Sequence, residues 1–96
     1  MLQEWTTVNT TTSGELTSAG IPTRVKLLHI ISDGTAGVTT ISNNGSGGTV
    51  LIKVTGTINT GKTIYYGEDG YYFPKGAFLT PDAHSTNVTV VCRKCL

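Results

Sequence analysis

Residues 86–94 read TNVTVVCRK, and this stretch near the end of the chain decides the fold. Its side chains alternate between an apolar set, Val88, Val90 and Cys92, and a polar set, Asn87, Thr89 and Arg93. A repeat of two residues is that of an extended strand, in which successive side chains point to opposite faces. The stretch therefore predicts a β-strand with one face in a core and the other toward solvent or a neighbour. Val91 interrupts the polar set, so the second face is partly apolar, which indicates a covered surface.

Short runs of the same kind recur along the chain. They lie at residues 23–32, 38–42, 49–55, 62–66, 71–73 and 77–80. The separators, among them DGTAG, NNGSGG and GEDG, are rich in glycine, which punctuates turns, whereas threonine favours strands. In the run 49–55 we expect Val50, Ile52 and Val54 to share one face. Since no window shows apolar residues at helical spacing, the pattern predicts an all-β fold: a small antiparallel β-sandwich or jelly-roll-like barrel with short hairpins.

The four tyrosines lie on either side of GEDG. Tyr65 and Tyr66 precede this turn and Tyr71 and Tyr72 follow it, so we expect a hairpin in which each strand sends one ring to each face. Two rings would fill the core, and two would pair on the outside. Exposed rings suit a protein interface and also stack on sugars. We place Tyr66 and Tyr72 on the predicted interaction surface.

Residues 1–22 differ from the rest, because their few large apolar side chains are spread through serine, threonine and glycine. These side chains are Leu2, Trp5, Val8, Leu16 and Ile21. We therefore divide the chain into an N-terminal arm or edge strand, residues 1–22, and a β-sandwich domain, residues 23–96. An edge strand would lie beside a frayed terminus, whereas an extended arm would lie on an adjacent subunit with Trp5 as its anchor. Leu2, Trp5 and Leu16 complete the predicted interaction surface.

The bulk numbers limit the kinds of partner. The chain has 96 residues, 38% hydrophobic and 14% charged, with a formal net charge of +1. This length suits one domain, and so small a domain buries only roughly 60–65% of its unfolded surface, which favours oligomerisation. The small net charge argues against nucleic acid as a partner. No apolar run approaches the roughly 20 residues that span a bilayer, and the start lacks the pattern of a signal peptide, so we expect cytoplasmic synthesis and no membrane partner.

Residues 56–63 read GTINTGKT and fit the phosphate-loop pattern G-x-x-x-x-G-K-[ST]. In a phosphate loop a helix follows the lysine directly, and its free N–H groups hold phosphate oxygens. Here Lys62 is followed by aromatic, glycine-broken sequence that ends at Pro74, which makes a poor helix. We interpret the match as an accident of composition, with Gly56 and Gly61 as turn residues of positive φ. A nucleotide hydrolase is therefore not predicted.

The remaining candidates for chemistry are two cysteines and two histidines. Cys92 and Cys95 form a C-x-x-C, but residues three apart in an extended strand lie about 10 Å apart, too far for a disulfide. Since a zinc site needs two further ligands, we favour free thiols, with Cys92 as a small core residue, over a metal site or a disulfide. We expect His29 to be a structural histidine in a strand and His84 to be a solvated turn residue. No catalytic, cofactor-binding or metal-binding residue is predicted, and we interpret the chain as a non-enzyme.

The central run carries a family resemblance. The segments VKLLHIISDGTAGVTTISNNGSGGTVLIKVTG, GKTIYYGEDGYYFPKGAFLT and STNVTVVC, within residues 23–92, resemble the small Gly/Thr-rich β-sandwich proteins of tailed bacteriophage virions. In that family a lysine-bearing strand runs into a D/G-rich turn, a short strand and a Gly-rich hairpin, and a VTVxY/C strand ends the domain. The likeness is one of style and order and includes no active-site motif. The terminal CRKCL and the Thr-rich first twenty residues depart from the pattern.

The resemblance implies a jelly-roll-like capsid cement or decoration protein, which would stabilise contacts between major capsid subunits. Such proteins are often trimeric, so a homo-trimer is the favoured oligomer, with the major capsid protein or other virion proteins as partners and the virion as location. An alternative is a tail, fibre, baseplate or connector component. A second alternative, from the exposed tyrosines, is a carbohydrate-binding module.

Overall fold

A computed structural model describes residues 4–56 and 61–95. The described residues form nine β-strands: β1 (Thr6–Thr10), β2 (Gly14–Glu15), β3 (Thr23–Ser32), β4 (Val38–Asn43), β5 (Thr49–Thr55), β6 (Gly61–Tyr65), β7 (Tyr71–Phe73), β8 (Ala77–Thr80) and β9 (Ser85–Lys94). Within these ranges there is no helical segment of the length and hydropathy that a bilayer crossing requires. The predicted all-β fold is confirmed.

The strands form two sheets that pack face to face. Sheet A has the order β1-β9-β3-β6, with β7 also paired to β3, and sheet B has the order β2-β8-β4-β5. All pairings are antiparallel. If β6 and β7 are counted as two halves of one strand, eight strands remain, and their order in two four-stranded sheets is that of a jelly roll.

The core lies between the sheets and is built on the long central strands β3 and β9. In β9 the residues Val88, Val90 and Cys92 are fully buried, as their alternation predicts. Leu28 and Ile30 of β3 are their neighbours on the same inner face. Phe73, Ile41 and Leu79 from β7, β4 and β8 complete the best-packed part of the core.

The predicted hairpin at NNGSGG joins β4 to β5 and is confirmed. Asn44 (φ 70°) and Gly45 (φ 82°) supply the left-handed backbone that a tight reversal requires. The predicted face of β5 is wrong at one residue, because Val50 is 48% exposed while Ile52 and Val54 are buried. A pairing irregularity between Ile41 and Ser42 of β4 shifts the phase of the strand at this point.

The predicted hairpin between β6 and β7 is wrong. Both strands pair antiparallel with β3, β6 along Leu27–Ile31 and β7 along Thr23–Val25, so they are successive halves of one edge strand. Between them Gly67 (φ 99°) and Gly70 (φ 76°) let the chain leave the sheet and return to it in the same direction. The ten-residue β3 offers partners for both halves, and this long-range pairing overrides the local turn signal.

The N-terminal segment is part of the sandwich. Thr6–Thr10 pairs along its whole length with β9, and Gly14–Glu15 pairs with β8 in the other sheet. Residues 6–15 therefore supply one outer strand of each sheet. Leu16, which follows them, is 7% exposed and packs in the core.

Candidate interaction surface

The outer face of sheet A, which points away from the core, carries the most distinctive set of exposed side chains. Ile31, Tyr65 and Tyr72 project from it and are 38%, 53% and 44% exposed. Their partners across the strands fix this orientation, because Tyr65 faces Leu27 and Tyr72 faces Arg24, both next to buried residues of β3. Among the described residues of sheet B, one large apolar side chain, Val50, is comparably exposed. Exposed apolar side chains are therefore concentrated on one sheet.

An apolar row and a polar row cross this face side by side. The apolar row runs Thr7, Val91, Leu27 and Tyr65 across four strands. The polar row runs Asn9, Thr89, His29 and Thr63. In the polar row Asn9 Nδ2 donates to Thr89 Oγ1 at 2.8 Å, and His29 Nδ1 lies 2.6 Å from Thr63 Oγ1. His29 is thus a hydrogen-bonded structural histidine, as the sequence predicts.

Trp5 lies across one end of the same face. The guanidinium of Arg93 lies 4.7 Å and the ammonium of Lys26 5.0 Å from the centre of its ring. A Cβ at Gly70 would lie 3.2 Å from Cη2 of Trp5, so the indole reaches from β1 to the loop that joins β6 to β7. Each cation–π contact at such a partly exposed site contributes about 0.5–1 kcal/mol. The contacts that Trp5 makes here lie within its own chain.

A second cation–ring pair lies beside the first. The Arg24 guanidinium is 4.7 Å from the centre of the Tyr72 ring, and Arg24 and Arg93 are direct cross-strand partners. We call Arg24, Lys26 and Arg93 the cation cluster. Among the described residues, the one contact within 4.0 Å between a basic nitrogen and a carboxylate joins His84 Nδ1 to Asp33, at 3.3 Å. None of the described carboxylates pairs with the cation cluster.

The loop Gly67–Gly70 projects beside the cation cluster and bears two exposed carboxylates, Glu68 and Asp69. We call these two residues the acidic tip. The Tyr65 hydroxyl donates to Glu68 Oε1 at 2.8 Å, and this bond, together with burial and the Glu68 charge, raises the pKa of Tyr65. Arg24 Nη1 contacts the carbonyl of Gly70 at 3.5 Å, which ties the loop to the cluster.

The structure places the predicted interaction residues in different environments. Leu2 lies outside the described residues. Trp5 and Tyr72 lie on the outer face of sheet A, where cations cover their rings. Leu16 is in the core, so its predicted exposed position is corrected: its side chain packs inward just after β2. Tyr66 is half-buried against the core, and this burial raises its pKa, so the exposed ring of its pair is Tyr65.

The inward tyrosines form an aromatic cluster at the sandwich edge. Tyr66 and Tyr71 meet edge to face, with ring centres 6.2 Å apart and planes at 77°. The Tyr71 ring centre lies 5.5 Å from that of Phe73, which is fully buried. Tyr66 packs against the core, whereas Tyr71 is 40% exposed at the edge, so the prediction that two of the four rings fill the core is correct for Tyr66 alone. The outward rings, Tyr65 and Tyr72, both lie beside β3 and do not form the cross-strand pair that a hairpin would give.

The phosphate-loop match has a different explanation from the one predicted. Lys62 and Thr63 belong to strand β6, where a phosphate loop requires a helix, and residues 57–60 lie outside the described part of the chain. Gly56 does not have positive φ; a Cβ there would clash with Ser32 Oγ. A Cβ at Gly61 would lie 2.7 Å from the His29 ring. At both positions the neighbouring side chain, and not turn geometry, limits the space for a Cβ.

Both cysteines are free thiols, and Cys92 is fully buried, as predicted for a core residue. Burial raises the pKa of the Cys92 thiol to about 11. Cys95 is partly exposed, and its backbone N–H donates to the carbonyl of Pro22 at 2.7 Å. In residues 4–56 and 61–95 no three His, Cys, Asp or Glu side chains come together in a metal-binding group.

Two aspartates organise the loops at the far end of β3. Asp82 accepts from the backbone N–H groups of His84 at 2.8 Å and Val38 at 3.4 Å, and these bonds lower its pKa. Asp33 accepts from the N–H of Thr35 at 2.9 Å, and this bond and the neighbouring His84 lower its pKa. The His84 side chain is half-exposed, as predicted for a turn residue, and its Nδ1 lies 3.3 Å from the Asp33 carboxylate. This end of the sandwich is fixed by local capping bonds.

Comparison with known proteins supports the fold. No protein-family model matches the chain, and no curated protein matches it. A solved chain from the Bacillus endospore appendages, which form a novel family of disulfide-linked pili, is similar with a TM-score of 0.52. The alignment covers 98% of this chain and 88% of that chain at 7% sequence identity. At this identity the likeness shows a shared β fold alone.

Proposed function

We propose that this protein is a non-enzymatic structural component of a tailed-phage virion, of the capsid cement or decoration type. It packs against major capsid subunits and copies of itself through the outer face of sheet A. The observation that carries the proposal is the projection of Ile31, Tyr65 and Tyr72 from that one face. These three side chains are spread along one face on and beside β3, and exposed aromatic rings are enriched at protein interfaces.

Two further observations support the assembly role. The order of strands and turns within residues 23–92 resembles that of small β-sandwich virion proteins. The net charge of +1 gives little self-repulsion between copies on one shell.

The mechanism is thermodynamic linkage. A protein that binds the assembled shell and not its separated subunits stabilises the shell by RT ln(1 + [L]/Kd), about 2.7 kcal/mol per site when its free concentration is 100 times Kd. Contact with neighbours also covers the outer strands of the sheets, whose unpaired backbone groups otherwise invite uncontrolled pairing.

Co-sedimentation tests the proposal with shells of the major capsid protein encoded in the same genome. We expect wild-type protein to pellet with expanded shells and Ile31→Glu, on the outer face of sheet A, to bind about tenfold more weakly or worse. Val50→Glu, which places the same charge at a comparably exposed site on sheet B, is the matched control and should bind as wild type does. Wild-type protein that binds tails and not shells would favour the tail-component alternative, and failure to bind any virion part would overturn the proposal.

A further inference from the structure

The cation cluster is an unusual arrangement for one chain to hold alone. Arg24 and Arg93 face each other directly across β3 and β9, and like charges in that position are destabilising. The rings of Trp5 and Tyr72 offset part of this repulsion by holding the guanidinium groups over their faces. The Nε of Arg93 is buried and has no hydrogen-bond partner among the described residues. The cluster therefore has the positive charge of a site for an anionic group.

The chain itself carries suitable anions. Of its six Asp and Glu side chains, Asp33 and Asp82 cap loops at the far end of β3, and Glu15 lies in β2 of sheet B. Glu4 borders a cleft that Arg93 and Lys94 also line. The acidic tip supplies the remaining two, both exposed. None of the described carboxylates lies within 4.0 Å of an arginine or lysine nitrogen. Among the described residues, the acidic tip and the cation cluster form no direct ion pair with each other.

The placement of these charges makes the surface self-complementary. The loop Gly67–Gly70 touches Trp5 and Arg24, so the acidic tip and the cation cluster lie next to each other at one end of sheet A. When two such surfaces meet, the tip of each copy can face the cluster of the other. We propose that the acidic tip, Glu68 and Asp69, of one copy docks on the cation cluster, Arg24, Lys26 and Arg93, of a second copy.

This inference deepens the proposed function, because it names a second copy as the partner at one end of the outer face. The neighbouring rings supply the apolar part of the contact. Tyr65, which holds Glu68, and Tyr72, which holds Arg24, are both exposed beside the charges that they position. Complementary charges favour one alignment of the two copies and disfavour other partners. The aromatic rings beside these charges are of the kind enriched in protein interfaces.

Charge exchange tests the contact by sedimentation velocity over a concentration series. We expect wild-type protein to self-associate and both Lys26→Glu/Arg93→Glu and Glu68→Lys/Asp69→Lys to raise the dissociation constant about tenfold or more. The four substitutions combined exchange the two signs, restore complementarity and should recover association. Lys53→Glu/Lys75→Glu, which makes the same charge change away from the cluster, is the control and should associate as wild type does.

The outcomes separate this contact from the proposed function. A wild-type chain that stays monomeric at every concentration, or a fourfold variant that associates no better than either double variant, overturns the inference. Because the acidic tip is exposed, its double variant remains informative even if the cluster variant fails to fold. A protein that stays monomeric and still binds shells would contradict the contact between copies but not the proposed structural role. A protein that forms charge-dependent oligomers but binds no virion part would contradict the structural role but not the contact.

Discussion

Arg24 and Arg93 lie directly opposite each other on β3 and β9, and each guanidinium rests 4.7 Å from the centre of an aromatic ring, Tyr72 for Arg24 and Trp5 for Arg93. The two rings come from distant parts of the chain and from opposite edges of sheet A. The rings hold the two guanidinium groups side by side on the surface. Neither group has a carboxylate partner in the described part of the chain. This relationship connects the N-terminal segment to the candidate interaction surface.

Trp5 should contribute measurably to the stability of the isolated chain. Trp5→Ala removes the ring on which Lys26 and Arg93 rest, and we expect it to lower the free energy of unfolding by about 1–2 kcal/mol. Trp5→Phe keeps a ring and is expected to lose less than half as much. Urea titration followed by circular dichroism measures both. A Trp5→Ala variant as stable as wild type would mean that the indole makes no lasting contact with the sheet.

Adjacent leucines of β3 should respond very differently to truncation. Leu28 is fully buried and Leu27 lies on the outer face opposite Val91 and Tyr65. We expect Leu28→Ala to cost about 2–5 kcal/mol, because it leaves a cavity in the core. Leu27→Ala should cost about 1 kcal/mol or less. Equal losses, or the reverse order, would show that β3 has a different register.

Gly56 should not tolerate a side chain. A methyl group there would clash with Ser32 Oγ, which accepts from the N–H of Gly37 at 3.3 Å. We expect Gly56→Ala to destabilise the fold by about 1–3 kcal/mol. Gly34→Ala is the matched control, because a Cβ at Gly34 would meet no atom within 4 Å. Its free energy of unfolding should change by about 0.5 kcal/mol or less. Thermal melts that do not distinguish the two variants would contradict the close approach.

Acid should weaken the fold through the loop carboxylates. Hydrogen bonds in the folded state hold the pKa of Asp82 and Asp33 below the ordinary value of 3.8. Their contribution is therefore complete above about pH 4 and is lost as the pH falls through the lowered folded pKa. We expect the urea midpoint of wild type to decrease as the pH is lowered from about 5 to about 2. The decrease should be smaller in Asp82→Asn, which has lost one of the two carboxylates of lowered pKa. The exposed Asp69→Asn serves as the control and should keep the wild-type slope.

The two thiols should differ in reactivity. Cys92 is fully buried with its pKa raised to about 11, whereas Cys95 is partly exposed. At about pH 8 a disulfide reagent such as Ellman's should label one thiol per folded chain and the second only after denaturation. In the Cys95→Ser variant we expect no fast labelling. Rapid reaction of that variant would show that Cys92 is accessible in the folded state.

Much of the fold is predictable from local pattern. The alternation of Val88, Val90 and Cys92 identifies an inner face, and NNGSGG identifies the reversal between β4 and β5. Both signals are local, since a two-residue repeat and a glycine-rich turn act within a few residues of the chain.

The errors in prediction come from contacts between distant residues. The GEDG loop has the composition of a hairpin turn, but whether β6 pairs with β7 or both pair with β3 depends on the length of β3. Gly56 is a glycine because of Ser32, twenty-four positions away in the sequence. The cation cluster joins residues from β3 and β9 with Trp5 and is invisible to any local motif. In this chain the strands can be predicted from the sequence, but the arrangement of side chains on the surface of sheet A cannot.

A density map of the native assembly would show directly which surface of this protein its neighbours cover. We expect a neighbouring protein chain to cover the outer face of sheet A, with Ile31, Tyr65 and Tyr72. A map in which that face is open to solvent on every copy, while sheet B makes the contacts, would contradict it.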